Sequence, residues 1–598
     1  MIPPKERSTL TEAMVPPAGY SFDAGLATTY SLEIGCLVSL PLQLAWLATS
    51  DDADAQRDPI RVLEGLRRTA SRLSVFVDRG RLHVPRVPNA LFSLMEEMIH
   101  EVEAPHGGVF HPKVWVLRFL PDEPSRDPLI RLLILSRNLT DDRSWDLSLC
   151  LEGRPKGSNR AANRDLAAFV RTLPELWGKA LSEIRSRDID SLADDVQRCV
   201  WELPGQFEEV VFHILGTGKQ PRRLEFPPSQ EAVLVSPFVS DKAIEAITED
   251  CGVPVALISR TEELALLRDE TLARFGLVQV LSEQADAVSE EEVGPDGCRG
   301  LHAKAIVLRR GWKTHLYVGS ANCTDAALVA GRNVEVMAEL IGRTSQVGSP
   351  RDWISEKGLG LLLVPYVAVD PAQLIEEKTR EEALERCRRA VLGAGVFLGC
   401  VPDDGEYRLW LRGAAALKEL GAELWVWPLT VPAERQVKVA PLTEDCDLGR
   451  YAPQDVTSLT GFRIRVQGSE LSFGAQLKLD NPPPDREAAV LALVLRNRAG
   501  FLRYLALLLG ETEDHMSTTG NTTGAAWLGI GQGAGEEPPL FEMLVRSFSR
   551  EPEKLRYVES VIAQLRQAVA DSDQTLVPAE FLSLWKVFLA ARALEATE

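Results

Sequence analysis

The stretch Gly300–Gly342, GLHAKAIVLRRGWKTHLYVGSANCTDAALVAGRNVEVMAELIG, decides the reading of this chain. His302 and Lys304 stand two apart on an alternating apolar run, so both side chains point to one face of a strand. A second strand, HLYVGSAN, ends at Asn322, and a third, NVEVMAEL, carries Glu335 among apolar neighbours. A base, a fixed cation, an amide and a carboxylate at successive strand ends are the groups an anionic phosphoryl centre requires.

Moving outward, the same order of features occurs nearly two hundred residues upstream. GGVFHPKVWVL parallels RGLHAKAIVL, LLILSRNLTDD parallels LYVGSANCTDA, and SWDLSLCLEG parallels NVEVMAELIG without a gap. His111 and Lys113 thereby match His302 and Lys304, Asn138 matches Asn322, and Asp146 stands opposite Glu335. The chain has 8 histidines, and two of them begin an HxK followed by an Asn on the next strand and an acid on the one after. An isolated HxK carries little information, because two polar residues at strand spacing ordinarily face solvent. The paired set is far more specific. Ahead of His302, LVSPFV, SDKAIEAITED, VPVALISR and ELALLRDETLARFG read as strand, helix, strand, helix, with a less regular counterpart ahead of His111, where LFSLMEEMIHEVEA has helical spacing. This order predicts α/β class, with a sandwich built on a mixed sheet in each half.

The expected domains are a first lobe with connector helices at 1–205, a second lobe at 206–365, a small β-rich accessory domain at 366–484 and a helical domain at 485–598. The third follows from short alternating runs such as YRLWLRG, AELWVWPL and FRIRVQG, ended by DNPPPDR. In the fourth, DREAAVLALVLRNRAGFLRYLALLLG predicts one long buried helix, followed by a Gly/Thr-rich tract, MSTTGNTTGAAWLGIGQGAGEEPP, that reads as a flexible loop.

At 598 residues, 45% hydrophobic and 25% charged, the composition is that of a multi-domain globular protein. A net charge of −20 gives no bulk basic field, so polyanion binding requires a local groove. Nine scattered cysteines without CxxC spacing argue for a reducing cytoplasm and against structural zinc. The N-terminal residues show no apolar signal core, and no apolar run is long enough to span a bilayer. A cytoplasmic protein without a membrane partner is expected.

The paired HxK…N pattern, with GSAN in the second copy, resembles the phospholipase D superfamily, and SRNLTDDRSWDLSLCLEG resembles the first-half signature of its tyrosyl-DNA phosphodiesterase branch and, more loosely, of its nucleases. The resemblance spans roughly residues 20–345 and implies two phospholipase D-like α/β sandwich lobes related by pseudo-twofold symmetry. It also implies a metal-independent, cofactor-free phosphodiesterase with one composite site. His111, Lys113, Asn138 and Asp146 would face His302, Lys304, Asn322 and Glu335, with His111 the nucleophile and His302 the general acid. Ser136 and Ser320, each two before the Asn, are phosphate contacts or turn residues. One departure is clear. Where HKD-type members carry an Asp after the Lys, this chain has Arg118 and Arg309, so Asp146 and Glu335 must supply the carboxylates that orient the imidazoles.

The expected function is cleavage of DNA through a phosphohistidine, in prokaryotic genome defence or repair. Adduct repair, phospholipase action and a catalytically silent scaffold are the other readings. The expected partners are nucleic acid, DNA in preference to RNA, and a protein such as a helicase at the C-terminal domains, with homo-oligomerisation left open. Other motifs carry less. HILGTGKQ lacks the first Gly and the Ser/Thr of a phosphate loop, and GIGQGAG does not follow a strand. His83, His213 and His315 read as ordinary histidines, and Trp410, Trp425 and Trp427 as one face of a core. The acidic Ser282–Cys298 reads as a solvated loop or as a lid competing with polyanions.

Overall fold

A computed structural model describes residues 10–44, 58–141, 144–282, 300–417, 420–440, 445–509, 540–550, 552–568 and 576–595. Nearly all of the acidic segment and the whole Gly/Thr-rich tract lie outside the described residues.

The class is mixed α/β, as expected. The first large sheet contains β1 (Tyr20–Thr29), β2 (Leu73–Asp78), β3 (Ile99–Val102), β4 (Val114–Pro121), β5 (Leu129–Leu135), β6 (Ser148–Pro155) and β7 (Cys199–Glu202), in the order β3-β2-β1-β4-β5-β6-β7. The second contains β8 (Glu209–Leu215), β9 (Ser229–Val235), β10 (Cys251–Ile258), β11 (Leu277–Leu281), β12 (Ala305–Arg310), β13 (Lys313–Gly319), β14 (Glu335–Arg343) and β15 (Leu363–Pro365). Its order is β15-β11-β10-β9-β12-β13-β14-β8. β1, β2 and β3 run parallel in the first sheet and β9, β10 and β11 in the second; successive neighbours beyond β1 or β9 pair antiparallel, and β15 adds an antiparallel edge beside β11.

Alternation along β4 explains how one sheet serves two cores. Val114 and Val116 face a core shared with Val334, Val336 and Leu301 of the second sheet, while Trp115, Leu117 and Phe119 face the other side. Along β12, Ala305 and Val307 enter the shared core, and Ile306 and Leu308 a separate one. The connector helices, Arg164–Trp177 and Glu183–Arg198, also contribute to the shared core.

Three local expectations are corrected. LFSLMEEMIHEVEA is a 3₁₀ turn, Ala90–Met95, followed by β3, because the parallel pairing of Ile99–Val102 with β2 overrides the helical spacing. ELALLRDETLARFG is two single-turn helices, Thr261–Leu264 and Asp269–Leu272. The long C-terminal helix is broken into Arg486–Leu495 and Arg498–Leu509; Arg496 adopts φ 55°, and the Asn497 side chain accepts from Gly500 N at 2.9 Å to start the second helix.

A four-stranded and a six-stranded sheet occupy the β-rich region, the larger one including Leu32–Glu33 and Leu82–His83 from the first region. The later helices pack back onto the first sheet's outer core; the buried Tyr504 hydroxyl donates to Glu64 at 2.9 Å. Of the three tryptophans only Trp427 is buried. Trp410 and Trp425 are half-buried under Arg412 and under Lys438 and Arg465, because their strand positions face outward. No helix among the described residues is long and apolar enough to cross a membrane.

Candidate active site

Backbone geometry first brings the two halves together. Phe110 and Val334 form an isolated parallel bridge, with His111 N donating to Val334 O at 2.9 Å and Val334 N to Val109 O at 3.0 Å. Trp145 and Leu301 form a second, in which Trp145 N donates to Gly300 O at 3.1 Å and His302 N to Trp145 O at 2.7 Å. Each bridge joins the residue before one half's histidine to the residue before the other half's acid. The approach is close enough that a Cβ on Gly108 would lie 2.4 Å from Arg332 O, which accounts for glycine there.

The side chains follow this exchange. Glu335, fully buried, accepts at Oε2 from His111 Nδ1 at 2.9 Å and from Ser320 Oγ at 2.5 Å, and at Oε1 from Asn333 Nδ2 at 3.2 Å. A carboxylate can only accept, so it fixes the proton on Nδ1 and leaves the Nε2 lone pair of His111 for a substrate. Burial pushes His111 down to about 4 in spite of the carboxylate. Burial opposes ionisation of Glu335 too, but His111, Lys113 and the Ser320 hydroxyl hold it below the usual carboxylate range.

Both lysines are buried to 1% exposure and turn back on their own histidines. Lys113 Nζ donates to His111 O at 2.8 Å and Lys304 Nζ to His302 O at 2.8 Å. Burial brings Lys113 down to about 7; burial and the neighbouring Lys113 bring Lys304 well down, partly offset by Glu335 and Asp146. His302 corrects an expectation. Its Nδ1 lies 3.2 Å from Lys304 Nζ, where a carboxylate was anticipated, and Glu335 serves the other half's histidine. Burial, together with Lys304, Lys113, His111 and Arg260, drives His302 to about 2.

Asn138 and Asn322 each bury an amide oxygen with no hydrogen-bond partner among the described residues. The amide can be turned end for end, so what matters is that each has one polar terminus left unmet at matching positions, at a cost of about 1–3 kcal/mol. The loops that carry them are tied down alike: Leu139 N donates to Thr29 Oγ1 at 3.0 Å and Cys323 N to Ser236 Oγ at 2.9 Å. Ser136 accepts from Leu147 N at 2.8 Å, as Ser320 does from Val336 N at 3.0 Å, so both are turn residues, Ser320 with the added bond to Glu335.

Sequence reasoning passed over Asp78, Arg260, Tyr30 and Asn333. Asp78 closes β2, and Arg260 lies two residues beyond β10. Asp78 Oδ1 accepts from Phe110 N at 2.8 Å and Arg260 Nε donates to Leu301 O at 2.9 Å, each gripping the residue before a histidine. Extending the alignment of SVFVD with ALISR would have exposed the pair. Arg118 and Arg309 lie down the strands, away from the histidines, and pair with acids on the neighbouring strand: Arg118 with Asp23 at 2.6 Å and Arg309 with Glu231 at 3.3 Å. Lys113, Lys304 and Arg260 act on the two imidazoles, Glu335 bonds His111, and Asp146 and Asp78 act on Lys304 and Lys113; the buried lysines and the unmet amide termini suit an anionic ligand.

No family model matches the chain, and no curated protein matches it. Among solved structures it is similar to yeast tyrosyl-DNA phosphodiesterase (9% identity, TM-score 0.34, 56% of this chain and 87% of that one). It is also similar to phosphatidylserine synthase of Haemophilus influenzae Rd KW20 (11% identity, TM-score 0.30, 62% and 94%). Both belong to the phospholipase D superfamily, which the paired segments resemble. With TM-scores this low the matches add nothing to the reading of the site, which stands on its own geometry.

Proposed function

We propose that this chain is a phosphodiesterase of the phospholipase D type that cleaves DNA through a phosphohistidine on His111. The observation that carries the reading is the buried Glu335–His111 pair, formed across the two halves beside two buried lysines. A phosphodiester would lie with its non-bridging oxygens toward Lys113, Lys304, Asn138 and Asn322. Its single negative charge offsets the lysines, which raises His302 and lets that residue enter the reaction protonated. His111 Nε2 then forms a bond to phosphorus as the bond to the leaving oxygen breaks, and His302 gives its proton to that oxygen. Neutral His302 next takes a proton from water, whose oxygen displaces His111 from phosphorus. The carboxylate behind His111 stabilises the positive charge formed on the imidazole during attack.

The common strand order of the two sheets favours a pseudo-twofold relation between lobes at 1–205 and 206–365, with 366–484 and 485–598 as the appended regions. DNA is favoured by the resemblance of the Asn-bearing segments and by Phe238. This residue is 39% exposed, has Arg260 stacked 5.1 Å from its ring centroid, and offers a base-stacking surface at the site's rim. The test is incubation of the protein with labelled single-stranded DNA, duplex DNA, RNA and phosphatidylcholine in EDTA, with acid-labile label on His111 sought by mass spectrometry. His111→Ala and His302→Ala should each abolish turnover, and only the first should abolish the adduct. Cleavage surviving both changes refutes the mechanism; turnover of phosphatidylcholine alone refutes the substrate.

A further inference from the structure

The histidine-bearing halves differ in what stands behind them. Behind His111 the end of β2 and the turn to Leu82 make three connections to the site, the last through the Leu32–Leu139 bridge. Asp78 grips Phe110 N at 2.8 Å. Arg81 lies 4.7 Å from the Tyr30 ring centroid, and that ring lies 5.2 Å from the His111 ring. Arg81 O accepts from Leu32 N at 2.9 Å, and Leu32 bridges Leu139, the residue after Asn138. Glu33 N donates to Leu139 O at 2.9 Å. The His111 and Asn138 loops are therefore both registered against one turn.

That turn is itself gripped from the C-terminal half. Arg388, on the helix Ala372–Gly393 and 3% exposed, donates to Arg79 O at 2.6 Å and Gly80 O at 3.0 Å. Glu385 on the same helix accepts from Arg388 Nη2 at 2.6 Å and from Arg81 Nη2 at 2.9 Å, and Arg79 donates to Leu392 O at 2.8 Å. Gly80 has φ +69°, and a Cβ on it would lie 2.4 Å from Leu392 Cδ1. A side chain there would have to push aside the ends of the Leu392 and Arg388 side chains. From the other side, half-buried Glu101 accepts from Gly80 N at 2.9 Å and from Gln476 N at 2.8 Å, tying the turn to the larger C-terminal sheet. Both carbonyls of a left-handed turn are thus met by Nη1 of one buried guanidinium, whose Nε and Nη2 are held by the Glu385 carboxylate in a bidentate pair. At the matching place in the second half, Arg260 bonds Leu301 O and stacks on exposed Phe238.

We propose that Arg388 is a positioning residue for the His111 half of the site, acting through the Arg79–Arg81 turn, so that residues beyond 366 complete a site whose reacting groups all lie before it. The kinetic part of this proposal rests on the phosphodiesterase reading; the structural part does not. The experiment uses the full chain with Arg388→Ala, Arg388→Lys and, as control, the exposed Arg380→Ala. Hydrogen–deuterium exchange and turnover of a DNA phosphodiester are both measured. Arg388→Ala should speed exchange in peptides covering 78–83, 109–115 and 138–141 while leaving 300–306 and 320–324 unchanged. Its kcat should fall ~10–100-fold with KM within ~3-fold, as expected when placement of a reacting group is loosened. Millimolar guanidinium should restore part of both effects, and Arg388→Lys, which can donate to the carbonyls but cannot keep the bidentate pair with Glu385, should fall between. Arg380→Ala should change neither. Faster exchange confined to 79–81 with undiminished turnover overturns the proposal, as does a rise spread equally over 300–306. Absence of turnover in the parent protein would refute the proposed function instead, and the exchange pattern would still decide whether Arg388 positions the His111 loop.

Discussion

Lys113→Met separates what the site gains from its buried charge and what the fold loses. In the folded chain burial holds Lys113 at about 7 against an ordinary 10.5. Above about pH 10.5 neither folded nor unfolded chain carries the charge, and the lysine costs nothing. As pH falls the unfolded chain takes up the proton first, so folded stability is lost progressively down to about pH 7, where the folded lysine also titrates. At 1.36 kcal/mol per pKa unit, the gap between 10.5 and about 7 caps this loss at ~5 kcal/mol. Methionine keeps the length of the side chain without the charge, but forfeits the 2.8 Å bond to His111 O and the contact 5.9 Å from the Tyr30 ring centroid. A net gain of ~2–3 kcal/mol at pH 7 is expected, of the order seen when buried charges give way to apolar isosteres. Thermal unfolding of both proteins should be followed from pH 6 to pH 10. The variant should melt ~4–10 °C higher at pH 7, with the difference vanishing at about pH 8.5–9, where the remaining charge penalty only offsets the lost contacts, and reversing by pH 10. Turnover should fall ~10²–10³-fold, the usual loss on removing one charge-stabilising donor. A variant that is less stable at pH 7, or whose gain does not change with pH, refutes the argument that burial of this charge is the cost of the site.

Two smaller changes probe the same centre from either side. Ser320→Ala removes the 2.5 Å bond that helps hold Glu335 ionised. The carboxylate should then protonate at higher pH, moving the acid limb of kcat/KM upward, with kcat reduced ~3–10-fold for the loss of one charge-assisted hydrogen bond; an unmoved limb would show that Ser320 only shapes its turn. Phe238→Ser should raise KM for single-stranded DNA ~10-fold, the order of one lost stacking contact, and leave a small aryl phosphodiester unaffected. Equal loss on both substrates would remove Phe238 from any role in holding bases.

The parts of this architecture that repeat locally were legible in one dimension. The HxK pairs stand just before β4 and β12 rather than on them, the Asn residues after β5 and β13, and the acids before β6 and at the start of β14, so the period-two patterns of these buried strands preserved the order of the site residues in the sequence. Helical spacing misled at Met98–Val102 because a parallel neighbour, distant in sequence, decided the outcome. The Arg388 clasp was invisible for a similar reason: its acceptors are backbone carbonyls some three hundred residues away, and carbonyls have no sequence signature. The most consequential omission was the exchange of acids. Reading each half as a unit pairs Asp146 with His111 and Glu335 with His302, since those residues share a sheet. The bridges Phe110–Val334 and Trp145–Leu301 cross that pairing, and Gly108 permits the approach by lacking a Cβ. Glu335 consequently reaches His111 from the opposite half, and a fragment ending before residue 206 would hold a histidine, a lysine and an amide but no carboxylate on the histidine. The same crossing accounts for the electrostatic difference between the imidazoles. Lys304 occupies the Nδ1 side of His302 while Glu335 occupies that of His111, so two near-identical sequence motifs yield unlike imidazoles, and the proposed division between nucleophile and acid rests on that difference.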